Sequence, residues 1–571
     1  MSTHTTRSKP GSSNLSGGST EPQASGHSSQ GPSWRLSLTG MIAALAVLIP
    51  LIASPAAIAA PPENAHGVLN RAFNALGGAE VLSSTSNLQI EATGETRVPF
   101  EGFDPGEAVS ANTYSGSYSI DVEQNLIRVD VTRQPLFEVF QFFPEESFTI
   151  VANEEIGHLS DQALFTFPGD LATQNVTALW RQQVLFNPQL LMAAAAENPE
   201  IVSVGGITKL DGRTHRILTI DNDVAPIHLF MDNRSALISK LVTTESNPLV
   251  RDVTVEVHYR QWQQGQDMPY PAEVELVVDG MSLWEESRTA FSTPDELPVG
   301  LFDDLALADP TAFDPALAEY GRQSQHLVLA FLAAGFTFSP DQPIFGINEL
   351  APGIHHVATD TSSIIVEQAD GLVLLEAPLS PAYGSTLVDI AGDTSDKPIS
   401  HIIQSHHHVD HASGVRSVVA TGAELVVGPG VGDLWDQVLT AESTIRPDAL
   451  SETPVTVARH EVAEGSSLTL DDDLNAITTY SVPGPHARDM LVTAINTGEE
   501  IIVFNADLYN TGLGFTLALP GPSILFEALR TTGLLDADCN SELPMTIVPT
   551  HGLPLSLPEA LAEVGASNVG C

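Results

Sequence analysis

"SHHHVDHASG", residues 405–414, places four of the chain's 18 histidines and one aspartate within six consecutive positions. It follows the apolar run "ISHIIQ" (399–404), which reads as a strand. The histidines therefore sit in the loop leaving a strand end, where open sheets place ligand sites. Side chains two apart in an extended segment point the same way, so His406 and His408 can grip one ion together. Asp410 and His411 can turn toward a second ion, while the intervening His407 faces the other side. Imidazole is a good zinc ligand and carboxylate a good bridging or terminal one.

The order H-x-H-x-D-H resembles the signature of the metallo-β-lactamase fold superfamily of metallohydrolases. That resemblance implies further ligands, each at a strand-to-loop junction. "SVPGPHARDM" supplies His486, 75 residues after His411; "IIVFNADLYN" supplies Asp507, 21 residues on; "TIVPTHG" supplies His551, 44 residues later. By the same resemblance His406, His408 and His486 hold a first metal, Asp410, His411 and His551 a second, and Asp507 bridges both. The implied cofactor is a pair of Zn2+ ions, with iron or manganese as alternatives in the same ligand set; iron there would imply a redox enzyme of the same fold instead of a hydrolase. The implied activity is hydrolysis of an ester, thioester, lactone or amide through a metal-bound hydroxide, with Asp410 orienting it and moving its proton. Asp489 and Glu376 are candidates for fixing the ligand imidazoles, and Tyr509 for assisting an oxyanion or for packing.

Departures narrow the likeness. The best-known zinc β-lactamases carry cysteine where Asp507 stands, and Cys539 and Cys571 lie elsewhere. The aspartate resembles the glyoxalase II, lactonase and general hydrolase branches. "LLEAPLS", "HHHVDHASGVR" and "ADLYN" resemble stretches of exported hydrolases with an extra N-terminal domain. The resemblance covers roughly residues 341–555, and it leaves the substrate open.

Working outward, the remaining chain divides by composition. Residues 1–34 are Ser/Gly/Thr/Gln-rich and read as disordered. Residues 35–60 read as an export signal ending in the A-x-A pattern Ala57-Ile58-Ala59, or as an uncleaved anchor. The expected location is periplasmic or secreted. Residues 63–300 show period-two strands, with Ile127, Val129 and Val131 on one face, then Val253, Val255, Val257 and Tyr259, then Val274, Leu276 and Val278. They predict a β-rich curved sheet or half-barrel. "ALGGAEVL" followed by such strands and "VHYRQWQQGQDMPYPAEVEL" resembles the LolA-type lipoprotein-carrier fold, which implies a rival function as a lipid or hydrophobe carrier with an ancillary metal domain. Residues 301–340 read as linker plus the helix "HLVLAFLAAGF", and 341–571 as alternating strands and helices. The expected fold class is thus α+β, with a C-terminal αββα sandwich behind the β-rich domain.

The charge excludes some partners. Against 71 acidic residues stand 23 basic ones, a formal −48, which repels nucleic acid and anionic lipid. A small-molecule substrate is the partner expected. Two cysteines are too few for a disulfide scaffold, though in an oxidising compartment they can pair. His355 and His356 precede a strand and read as structural; His401 and His460 have no supporting spacing. "GPGVG" (428–432) lacks the Lys-Ser/Thr of a phosphate loop and reads as a turn, and no G-x-S-x-G occurs.

Overall fold

A computed structural model describes residues 65–571 except 138–140, 164–165, 341–342 and 513–519. The leader and signal readings at 1–60 lie outside the described residues. No helix among those described is long and apolar enough to cross a membrane.

Residues 87–292 build a 13-stranded antiparallel sheet. It consists of two meanders joined where the first strand, Asn87–Pro99, pairs with the last, Met281–Ser292. Alternation puts Val253, Val255, Val257 and Tyr259 on one face, all buried, as are Val274, Leu276 and Val278 on the neighbouring strand. This is the period-two pattern of the sequence. The helices Thr173–Phe186 and Gln325–Ala334 pack onto that face within the same apolar core. The second covers most of the stretch "HLVLAFLAAGF" that reads as a helix, and it anchors the sheet. Its His326 backbone N–H and ring Nδ1 both meet Glu245, at 3.0 and 2.9 Å, and Arg181 Nε pairs with the same buried carboxylate at 3.1 Å. The face on which a carrier would seat its cargo is occupied by these helices.

Beyond Gly346 the chain forms two further sheets. The first has seven strands in sequence order from Gly346–Ala351 to Arg459–Glu461, antiparallel at first and parallel from Leu372–Leu375 onward. The second has six, from Ser467–Leu470 to Leu555–Ser556. Ile354, Ile364, Val373, Leu375 and Ile403 of one meet Ile477, Leu491, Ile502 and Val548 in a shared dry core. Runs of four buried residues, such as Leu372–Leu375 and Ile501–Phe504, show why these strands lack alternation: helices cover their other faces. Pro381–Thr394, Val415–Val419 and Gly432–Thr440 lie outside the first sheet, and Gly521–Thr531 and Leu557–Val564 outside the second. The layering is αββα. Cys539 and Cys571 form a disulfide with Cα atoms 5.5 Å apart, tying the C-terminus to the outer helical layer.

His356 is buried in the strand Ile354–Ala358, with neither ring nitrogen hydrogen-bonded, and burial pushes its pKa down to about 4 from 6.5. The unfolded chain then binds the extra proton between those values, so stability is present above pH 6.5 and is lost as pH falls toward 4. The full effect is roughly 3 kcal/mol. His356→Phe is expected to flatten this part of the urea-midpoint-against-pH curve; an unchanged slope would contradict it.

Candidate metal centre

Every residue of the site leaves a strand at the same rim. The strand Ile399–Ile403 runs into the histidine loop, whose Val409–Ala412 segment coils into a helical turn. His486 lies in the connection between Ala476–Ser481 and Leu491–Asn496; Asp507 follows Ile501–Phe504; His551 follows Met545–Val548. The connection after Leu372–Leu375 wraps the histidine loop from behind: Leu379 N–H donates to the Asp410 carbonyl at 3.0 Å, and Gly414 N–H to the Ala377 carbonyl at 2.8 Å. A Cβ on Gly414 would meet three carbonyl oxygens of this connection at 2.9–3.0 Å, so only glycine allows the approach.

The structure brings the seven expected ligands together. His406, His408 and His486 offer nitrogens within 4.8 Å of one another, and so do the ligand atoms of Asp410, His411 and His551. His406 Nε2 and His486 Nε2 are 3.3 Å apart. Asp507 faces both groups: its Oδ2 is 3.1 Å from His411 Nε2 and 3.2 Å from His486 Nε2, and its Oδ1 is 3.3 Å from His551 Nε2. Asp410 Oδ2 stands 3.5 Å from His411 Nε2 and 3.7 Å from His551 Nε2.

The outward nitrogens of His551, His406 and His408 are hydrogen-bonded by the protein, and that of His411 faces a buried carboxylate without a hydrogen bond, which leaves the inward ones for a metal. His551 Nδ1 donates to the Asp360 carbonyl at 2.5 Å. His406 Nδ1 meets Ser405 Oγ at 2.9 Å. His408 Nε2 donates to the Gly102 carbonyl at 3.0 Å. His411 Nδ1 lies 3.5 Å from Glu376, a fully buried carboxylate that also bonds Ser405 and Gln404. By contrast His408 Nδ1, Asp410 Oδ1 and Asp507 Oδ1 are buried without any hydrogen-bond partner. Orphaned nitrogens and carboxylate oxygens gathered among these side chains fit divalent cations.

The electrostatics agree. Burial, reinforced by neighbouring imidazoles, holds His406 and His408 well below the ordinary histidine pKa, so they are neutral and carry the lone pair a metal needs. Burial opposes the charge on Asp507 too, but His411 and His551 beside it pull its carboxyl well below the usual range. Strain also collects here: Glu376 and Ala506, neighbour of Asp507, have left-handed φ of 66° and 48°.

Of the three supporting residues named from the sequence, Asp489 meets a correction. Asp489 fixes no ligand imidazole; its Oδ1 takes His407 Nδ1 at 2.6 Å, and His407 belongs to neither metal group. Tyr509 is fully buried among Leu525, Phe526 and Leu529 in the outer helical layer, a packing position. Glu376 is the carboxylate that orients a ligand. Glu376→Ala is expected to weaken the ion of the Asp410–His411–His551 group by about 10- to 100-fold. Metal titration against a competing chelator checks this, and affinity within twofold of the parent would contradict it.

No family model matches the chain. A linear primary-alkylsulfatase from Pseudomonas sp is 29% identical over 154 residues, 26% of this chain and 18% of that protein, so the chain matches under a fifth of that relative's length. Among solved structures, a metallo-β-lactamase from Hirschia baltica is similar at 20% identity and a TM-score of 0.29, over 40% of this chain and 98% of that one. The flavodiiron protein from Giardia intestinalis is similar at 15% identity and a TM-score of 0.30, over 40% and 60%. At these TM-scores the likenesses carry no weight of their own beside the strand order and the ligand geometry. Four layers, ligands leaving the strand ends of one rim, and their H-x-H-x-D-H…His…Asp…His order together give the C-terminal half of this chain the metallo-β-lactamase fold.

Proposed function

We propose that the protein is a metal-dependent hydrolase that holds two divalent ions, zinc by preference. One observation carries the reading: Asp507 presents one oxygen to His411 and His486 and the other to His551, so a single carboxylate faces both ligand groups. Five imidazoles and two carboxylates, without cysteine, suit zinc. When bound, such a pair supplies a water whose pKa is lowered toward about 7 and an electrophile for the oxygen of the scissile group. The chain's own residues do the rest. Asp410 turns Oδ2 toward His411 and His551, while its Oδ1 has no partner. That oxygen is placed to take a proton from the attacking water and return it to the leaving group. Ser405, Gly102, Asp360 and Glu376 fix the imidazoles around it.

The bond attacked is an ester of a small molecule; the alkylsulfatase likeness puts primary alkyl sulfates beside carboxylic esters, thioesters and lactones as probes. A carrier role for the N-terminal sheet has no support in its packing, since helices occupy its apolar face. The paired cysteines favour an oxidising location outside the cytoplasm. The test is a hydrolysis screen of these classes with protein purified without added metal and then reconstituted, alongside elemental analysis. Zinc-dependent turnover abolished by chelator supports the reading; no turnover of any class, or iron as the resident metal, overturns it.

A further inference from the structure

One segment of the site comes from the far end of the chain. The connection Phe100–Glu107 joins the two long strands Asn87–Pro99 and Ala108–Asp121 of the N-terminal sheet and reaches the histidine loop. We infer that this connection completes the first metal position, with Glu101 and the Gly102 carbonyl as positioning groups for His408.

The geometry is specific. The Gly102 carbonyl accepts from His408 Nε2 at 3.0 Å, across 306 positions of sequence. A carbonyl only accepts, so it fixes the tautomer with the proton on Nε2 and the lone pair on Nδ1, the nitrogen that has no hydrogen-bond partner. Glu101 is buried, with Oε1 accepting from Val409 N–H at 3.1 Å and Oε2 at 3.5 Å from His408 Nδ1. The carboxylate thus grips the backbone between His408 and Asp410, at the start of the helical turn that carries Asp410 and His411.

The connection is itself pinned. Arg488, two residues after His486, pairs with Asp104, lies over the Phe103 ring with its guanidinium 5.1 Å from the centroid, and donates its backbone N–H to the Phe103 carbonyl at 2.9 Å. A Cβ on Gly102 would meet Glu107 Cβ at 2.4 Å, so glycine is required for the fold-back that aims its carbonyl. Backbone and side chain from one loop therefore fix His408, and that loop is clamped to the chain just past His486. The N-terminal sheet has a role at the metal that the seven ligands do not reveal.

This inference rests on the proposed metal site but not on any substrate, so it is tested by metal binding. Apo-protein is titrated with Co2+ alone, following the d–d spectrum and competition with a chelator. Glu101→Ala is expected to weaken one of the two ions about 10- to 100-fold and alter its spectrum, with the other ion unchanged. Glu101→Gln keeps an acceptor for Val409 N–H and is expected to stay within about threefold of the parent. Parent-like binding by Glu101→Ala would overturn the inference. So would equal losses in both variants, since that pattern marks direct ligation by the charge. Failure of the parent to bind Co2+ would instead overturn the metal site itself. Circular dichroism of the 13-stranded sheet separates misfolding, and a Glu101→Ala chain that unfolds leaves Glu101→Gln to decide: its loss of one ion contradicts positioning and its retention supports it.

Discussion

Asp410→Ala is expected to lower kcat/KM on any substrate of this protein by about 10²- to 10⁴-fold, with the fold intact. Asp410 is partly exposed while the rest of its loop is buried, and no helix or sheet depends on its side chain. Its backbone carbonyl, which receives Leu379 N–H, survives the substitution. What is lost is an oxygen that faces His411 and His551 and a second oxygen that has no partner. Asp410→Asn separates the two duties. It keeps shape and a carbonyl oxygen toward the imidazoles but cannot take up a proton, so activity is expected to stay low while metal content recovers. Steady-state kinetics with paired metal analysis decides; Asn turnover near the parent's would show that Asp410 moves no proton.

The second large effect concerns His551. His551→Ala is expected to drop the metal-to-protein ratio from two toward one. The side chain is partly exposed and held by a single hydrogen bond to the Asp360 carbonyl, so its removal leaves little buried surface unfilled. The first group, His406, His408 and His486, lies on other connections and keeps its Ser405 and Gly102 supports. Loss is therefore confined to one ion. Loss of both ions would contradict the division, and retention of both would remove His551 from the ligand set.

Much of this site was legible in the chain because its ligands obey short-range rules. His406 and His408 are two apart in extended chain, and His486, Asp507 and His551 each stand just past an apolar run. Strand ends that share a rim bring such residues together without further instruction. What is not legible there depends on direction or on distance. Asp489 sits three residues past His486, yet the turn aims it at His407, and no spacing states where a turn points. Glu101 and Gly102 lie in "EGFDPGE", whose sequence carries no spacing that ties it to the histidine loop. Their contact with His408 exists only because two sheets meet, and sequence periodicity does not encode that. In 301–340 the Pro- and Asp-rich first half reads as linker and the apolar run after it as a helix; what no composition states is that this helix is buried against the N-terminal sheet and fixed by Glu245.

Crystals of the zinc-reconstituted protein, measured on both sides of the zinc absorption edge, test the central claim most directly. Two anomalous peaks about 3.5–4 Å apart are expected, one among His406, His408 and His486, the other among Asp410, His411 and His551, with Asp507 touching both. Absence of both peaks, or zinc bound only away from these seven side chains, would contradict it.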